Sequence, residues 1–466
     1  MVTTGAQAEP PSRRLARFAA GLRLADVPAA VRERAKLHIL DALGLGLAST
    51  VFEYGQRTVE GVAAMGAAGT CSVLGRPERF EARDAALVNG VLIHGLDFDD
   101  THLASIIHPT CTSLPVALSL GEQLGVSGDE FLAAFLAGAE TSIRIGGAVN
   151  GGFHHVGYHA TGVVSHFASA VAAGRLLHLD EDQLVAAQGI AASTASGVQV
   201  FLEEGAWTKR LHPGWGAVAG ITAARLAQHG FKGPSRPYEG RFGLFDTHLH
   251  GEAETVNLGE LTDGLGEAWR FGDTALKPYP VCHFIHGCAD AAIALHHEIE
   301  GAEIERVRAF LPQPTLHIIA EPAAAKERPT NDYEAKFSAQ FVVAACLLKG
   351  GFGLPDLQPE ALADPRVRAL ALKVECLADP DTAFPTYFSG GVEVVLRGGR
   401  VLKRHVRVNS GAGERAMDVG EVSAKFMASA SLAIPIRQAE RIRDAVLMLE
   451  TVSARDLMAL LRRNAQ

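Results

Sequence analysis

A chain of 466 residues, 48% hydrophobic and 20% charged, has the material for two or three domains, or for one large core with a smaller one appended. Its formal net charge of −9, with no Lys/Arg block, argues against a nucleic-acid partner, and no apolar run approaches the ~20 residues of a membrane-spanning helix, which argues against a membrane one. Cys71, Cys111, Cys282, Cys288, Cys346 and Cys376 form no C-x-x-C pair, so a disulfide framework, a zinc ribbon and an iron–sulfur cluster are poor readings and a cytoplasmic location fits.

The stretch MVTTGAQAEPPSRRLARFAAGL has arginines but no continuous apolar core before a cleavage site, and reads as a ragged start leading into a helix. Asp26 before Val27 and Pro28 signals a helix start, and Val31, Ala35, Leu37, Ile39, Leu40 and Leu43 follow at roughly helical spacing. Helical patterns continue to about residue 230. In LDEDQLVAAQGIA, Asp180 or Asp182 is placed to cap a helix, and the segment GWGAVAGITAARLAQHGFKGP reads as a helix stopped by Gly230, Gly233 and Pro234. From about residue 270 β-branched residues increase, as in ERVRAFLP and VRALALKVECLA. Val392, Val394 and Leu396 alternate with polar residues ahead of Gly398–Gly399, a hairpin signal. Helical patterning returns after about residue 413. The expected fold is mainly α: a large all-helical domain built from both chain ends (1–271 and 413–466), plus a smaller inserted α/β lid domain (272–412).

The segment HGLDFDDTH, residues 94–102, sets three carboxylates and two imidazoles after an apolar stretch. On a continuous helix His94, Asp97 and Thr101 share a face, while Asp99 and Asp100 point elsewhere, to caps or solvent. Asp97, Asp99 and Thr101 also satisfy the D-x-D-x-T pattern of Mg²⁺-dependent HAD-type phosphatases, but that motif needs a buried strand before it and helical segments surround this one. His108 precedes Pro109 at a helix entrance, where a histidine suits an anion. In GGFHHVGYHATG, His155 and His159 have the spacing of a zinc-binding helix pair, but the Glu of H-E-x-x-H is absent and Gly157 weakens a helix; a glycine-rich loop presenting His159 to a cleft is the better reading. Lys209 and His212 stand before a Gly-rich helix start. Lys277 falls in a Pro-punctuated turn, followed by Cys282, His283 and His286, where cleft lining is preferred to a metal site. No P-loop, dinucleotide fingerprint or G-x-S-x-G elbow occurs.

Taken in order, HGLDFDDTH, the His-Pro at 108–109, GYHATGVVSHFASAVAAGRLLHL, TKRLHPGWGAVAG, LKPYPVCHFIHGCADA and PTNDYEAKFSAQFVVAACLLKGG resemble the MmgE/PrpD family over nearly the whole chain. That family includes 2-methylcitrate dehydratases, cis-aconitate decarboxylases and iminodisuccinate epimerases. The resemblance implies a helical domain with a smaller lid, a homodimer, a cleft between the domains, and no metal or organic cofactor. It maps catalytic roles onto Asp97, His108, His159, Lys209 and Lys277, and substrate contacts onto Thr101 and, less directly, Cys282 and His283. Two departures stand out. Decarboxylase-like members carry a lid tyrosine where this chain has Ala323–Ala325, Tyr333 being too close to E-A-K-F-S. Thr110 replaces the usual Ser or Gly after the first His-Pro.

Such a site handles a small carboxylate whose C–H lies next to a carboxylate group. Removing that proton makes a doubly charged aci-carboxylate, which Lys209, Lys277 and His108 are the right types to stabilise. His159 is assigned acid/base work with Asp97 as its partner or as the orienter of a histidine. Loss of hydroxide makes a dehydratase, the favoured outcome; return of the proton makes an epimerase; loss of CO₂ makes a decarboxylase. A metal-dependent phosphatase and a non-catalytic carboxylate-binding protein are the readings from other classes.

Overall fold

The computed structural model describes residues 9–66, 68–251 and 255–463. Its main elements in chain order are α1 (Pro11–Gly21), α2 (Ala29–Ser49), β1 (Ala68–Ser72), β2 (Arg79–Phe80), α3 (Ala82–His94), α4 (Pro109–Leu124), α5 (Gly128–Ala148), α6 (Ala160–Leu176), α7 (Glu181–Ala192), α8 (Thr208–Gln228), α9 (His286–Ile299), β3 (Ile304–Leu311), α10 (Ala339–Lys349), α11 (Pro365–Ala371), β4 (Val374–Ala378), β5 (Gly390–Leu396), β6 (Val401–Val406), α12 (Val419–Ala430), α13 (Ile436–Leu447) and α14 (Ala454–Leu461). The fold is mainly α. Two units are distinguished: one takes the chain up to Val200, Trp207–Thr274 and everything from Val419, and the other takes Phe201–Ala206 and Ala275–Asp418. The first eight residues of the N-terminal stretch lie outside the described residues, and the helix anticipated after them is α1.

In the first unit α5 and α6 are buried on nearly every side, as their lack of a polar face requires. Small residues let neighbouring helices approach closely. A methyl on Gly90 of α3 would lie 2.5 Å from the Gly214 Cα of α8, and one on Gly216 would lie 2.4 Å from the Ser165 Cβ of α6. Helix α8 is thereby pressed against both α3 and α6. Asp180 caps α7 in a reciprocal pair with Gln183, as its sequence suggests. Asp26 does not cap α2. It lies in a 3₁₀ turn with its carboxylate on Arg23 at 2.7 Å, and α2 begins directly after Pro28. The unit is also not wholly helical: β1 and β2 form a short antiparallel ladder, too brief to leave a period in the sequence.

The second unit has a four-stranded sheet in the order β4-β3-β5-β6. The β3–β4 pair is parallel and the other two are antiparallel. The expected β5–β6 hairpin forms, with Gly398 and Gly399 at φ 97° and 88°, a conformation that favours glycine. The segment VRALALKVECLA divides into α11 and β4, because Pro365 starts a helix whose apolar side is buried. The core of this unit gathers residues of α9, α10 and the sheet, among them Ala292, Leu295, Phe341, Val307 and Val394, with Phe201.

Two histidines of the first unit make its stability depend on pH. Burial pushes both His102 and His166 down to about 4, and His166 donates from Nδ1 to the Gly162 carbonyl at 2.9 Å. In the unfolded chain these groups take up protons below about 6.5. Their contribution is therefore complete above that pH and is lost as pH falls from about 6.5 towards 4. His166→Asn keeps a donor near Gly162 without the titration. The melting temperature of this variant should decline less steeply over that interval than the wild type's.

Candidate functional site

The loop after α3 carries the carboxylates. The helix ends at His94, and Asp97 takes φ 51°, the left-handed region that Asp tolerates better than most residues. His94, Asp97 and Thr101 therefore do not share a helical face; Thr101 lies in a short extended segment. Asp99 and Asp100, expected at caps or in solvent, are buried. His94 Nδ1 donates to Asp99 Oδ2 at 2.8 Å and His38 Nδ1 to Asp100 Oδ2 at 2.8 Å. Thr110 adds its hydroxyl to Asp100 at 2.5 Å and its backbone N–H at 3.3 Å. Burial, with Asp99 nearby, raises the Asp100 carboxyl to about 7, and burial pushes His38 well below its usual value, so this contact joins groups held near neutrality. A helix, not a strand, precedes Asp97, so the setting that D-x-D-x-T phosphatase chemistry requires is missing.

Four predicted residues converge on this loop. Lys209 Nζ donates to Asp97 Oδ2 at 2.7 Å, both side chains buried. Lys209 sits inside the first turn of α8 rather than ahead of it. His108 occupies the N-cap of α4 and donates from Nδ1 to the Asp100 carbonyl at 2.6 Å, which leaves Nε2 4.0 Å from Asp97 Oδ1. Thr101 Oγ1 is 3.4 Å from His108 Nδ1. His159 stands at the N-cap of α6; its backbone N–H donates to the Gly197 carbonyl at 2.6 Å, and its Nδ1 meets His212 Nδ1 at 2.9 Å. Burial holds His159 well below the usual imidazole value, with His212 and Lys209 adding to the effect, so it rests as the neutral base. His155 is exposed and Gly157, at φ 96°, breaks the chain before His159, so the two do not present an i, i+4 pair.

The remaining predicted residues belong to the second unit: Lys277, Cys282 and His283 are all buried there. Asn409 Oδ1 accepts from the Phe388 N–H at 3.2 Å, so its Nδ2 donates to His283 Nε2 at 2.9 Å and the His283 proton resides on Nδ1. An open groove of about 910 Å³ in this unit, lined by residues such as Arg306, Gln340, Lys373 and Cys376, includes none of the predicted site residues.

Sequence reasoning missed a support behind the loop. Lys425 of α12 bonds Asp41 of α2 at 2.8 Å, donates to the Phe98 carbonyl at 2.8 Å and lies 3.8 Å from the centroid of the Phe98 ring. Burial raises the Asp41 carboxyl to about 6 against the pull of Lys425. The only signal was a lone Asp inside the apolar run LHILDALGLGLA. Lys425 thus fixes the residue next to strained Asp97. Lys425→Met is expected to lower both the melting temperature and kcat, the latter by roughly 10- to 100-fold through a displaced Asp97. Adding Asp41→Leu should recover the melting temperature but not kcat. Recovery of both would reduce Lys425 to a purely structural role.

The fold and this loop define a mainly helical protein of two units, with a buried cluster of imidazoles, carboxylates and a lysine suited to moving protons. The chain belongs to the MmgE/PrpD family: residues 13–256 match the MmgE/PrpD N-terminal domain and 279–451 the C-terminal domain. It is 28% identical over 460 residues to the cis-aconitate decarboxylase-like protein oryM of Aspergillus oryzae, covering 94% of this chain and 95% of that one. It is 30% identical over 424 residues to the cis-aconitate decarboxylase of Homo sapiens, covering 88% and 86%, and 26% identical over 354 residues to that of Aspergillus terreus, covering 71% and 70%. The family membership makes the chain an enzyme of lyase-like function.

Proposed function

We propose that the protein is a cofactor-independent lyase acting on a small di- or tricarboxylate through a carbanion next to a carboxylate. The observation that carries this reading is His159, buried and neutral, beside His108 and the Asp97–Lys209 pair. A neutral imidazole accepts a proton from carbon, and a neighbouring ammonium and N–H donors stabilise the charge that develops on the carboxylate. His108, fixed by the Asp100 carbonyl, keeps its Nε2 side toward the same space. Asp97 orients Lys209.

Decarboxylation of a cis-aconitate-like acid is the first fate to test, since relatives matched over most of their length carry that name. Dehydration of a 2-methylcitrate-like hydroxy acid is the second. It is favoured by Ala323–Ala325, where decarboxylase-like relatives were expected to hold a tyrosine; Tyr333 is buried. The reading includes a homodimer. Trp207, Leu211 and Trp215, spaced i, i+4 and i+8 on and beside α8, form an exposed apolar stripe that a second copy would cover.

Proton NMR in D₂O separates the fates. EDTA-treated protein, incubated with cis-aconitate, 2-methylcitrate and malate- and aspartate-derived acids, is expected to place deuterium on a carbon next to a carboxylate. Itaconate-like product with CO₂ would identify a decarboxylase, and a new alkene with loss of hydroxyl a dehydratase. Absence of both exchange and product across the panel would overturn the proton-abstraction mechanism, as would activity that appears only when Mg²⁺ is restored.

A further inference from the structure

Three imidazoles of the first unit meet on one spot. His94, at the end of α3, and His108 and His159, at the N-caps of α4 and α6, have ring centroids 4.8, 5.7 and 6.1 Å apart. One nitrogen from each lies within 4.8 Å of the other two; His94 and His159 are buried and the His108 side chain is 12% exposed. Each ring is also oriented from behind through Nδ1: His94 by the Asp99 carboxylate at 2.8 Å, His108 by the Asp100 carbonyl at 2.6 Å, and His159 by His212 at 2.9 Å. Rings held at one nitrogen by a carboxylate, a carbonyl or another polar group, with the second nitrogen turned to a common point, are what metal-binding histidines show. Asp97 Oδ1, 4.0 Å from His108 Nε2, adds a neighbouring oxygen donor to the three nitrogens.

We propose that this tri-histidine cluster binds one borderline transition-metal ion, of which Zn²⁺ is the probe, and that the bound ion blocks turnover. The donor set selects the ion: three imidazoles and a carboxylate suit Zn²⁺, Co²⁺ or Ni²⁺, whereas Mg²⁺ and Ca²⁺ prefer oxygen ligands. Zn–N bonds of ~2.1 Å set tetrahedral nitrogens ~3.4 Å apart, so the rings need only swing inward by about an ångström. The inhibitory consequence rests on the function proposed above. A coordinated nitrogen has given its lone pair to the metal, so His159 and His108 can no longer exchange protons with a carboxylate substrate while the ion is in place.

The test titrates the chelator-treated full chain with ZnSO₄, followed by calorimetry and by metal analysis after gel filtration. Co²⁺ serves as a spectroscopic substitute, whose visible bands report a low-coordinate site. The expected stoichiometry is one Zn²⁺ per chain. Affinity should fall by ~10- to 100-fold in Asp99→Asn, which leaves all three ligands but loosens His94. Binding should be lost in both His94→Asn and His108→Gln, each checked for an unchanged circular dichroism spectrum. Less than one ion per chain, or undiminished binding in both ligand variants, would overturn the site. With a substrate in hand, one equivalent of Zn²⁺ should reduce turnover at least ten-fold and EDTA should restore it; unchanged or increased turnover would overturn the inhibitory role. Since the stoichiometry needs no substrate, a failure of the lyase reading and a failure of the metal site give different results.

Discussion

Lys209→Met is expected to lower kcat/KM by about 10³-fold, because on the proposed mechanism it removes both a cation that stabilises the carbanion and the partner of Asp97. Lys209 and Asp97 are 2.7 Å apart and both are buried, so neither charge has water to replace the other. The methionine stem preserves most of the volume and isolates the charge. Asp97 would then be left as a buried anion beside the place where a second negative charge forms. Asp97→Asn in the same background tests this: it should recover thermal stability lost in Lys209→Met but leave kcat/KM depressed. Steady-state rates at saturating and sub-saturating substrate separate the roles. A loss confined to KM would make Lys209 a ground-state binding residue only.

Arg144→Met is expected to destabilise the first unit by ~3–5 kcal/mol, read from urea denaturation, the range for breaking a buried ion pair from one side. Arg144 and Glu140, one turn apart on α5, are bonded at 2.8 Å and are nearly inaccessible. The guanidinium also donates to the carbonyls of Asp263 at 2.9 Å and Ala268 at 2.8 Å, while Glu140 accepts the backbone N–H groups of Arg270 at 3.1 Å and Phe271 at 3.0 Å. This pair is what fastens the irregular stretch around 260–271 to a helix, in place of regular backbone pairing. Removing the arginine leaves a buried carboxylate and orphaned carbonyls. Arg144→Met with Glu140→Gln should be less damaged than the single variant, since no unpaired charge remains. Equal damage in both would assign the loss to the carbonyls alone.

The site residues and the Lys425–Asp41 pair behind them mark how far the sequence could be read. Asp97, Thr101, His108, His159 and Lys209 were singled out by motif order, and the structure brings them together in one unit. Their geometry was not legible. A 3.6-residue spacing put His94, Asp97 and Thr101 on one face, whereas the left-handed turn at Asp97 ends that pattern and sends Asp99 and Asp100 inward. Periodicity assumes a continuous helix and carries no information about a single residue of positive φ. Lys425 and Asp41 are 384 residues apart, and nothing local marks them as partners. Segment type was most legible where the pattern was long, as in α5, α6 and α8. It was least legible where two short elements share one apolar run, as in α11 and β4.

The link between Lys425 and Phe98 bears on how the protein is made. Translation delivers the loop with its aspartates early, and the lysine that secures it follows 327 residues after Phe98. Domains usually form in the order in which they emerge from the ribosome. This one cannot, because its first unit closes only when residues from Val419 onward return to it. A chain truncated before α12 keeps Asp97, His108, His159 and Lys209, yet lacks the cation that holds the loop of Asp97. Chains that have not yet supplied α12 are therefore expected to be catalytically silent.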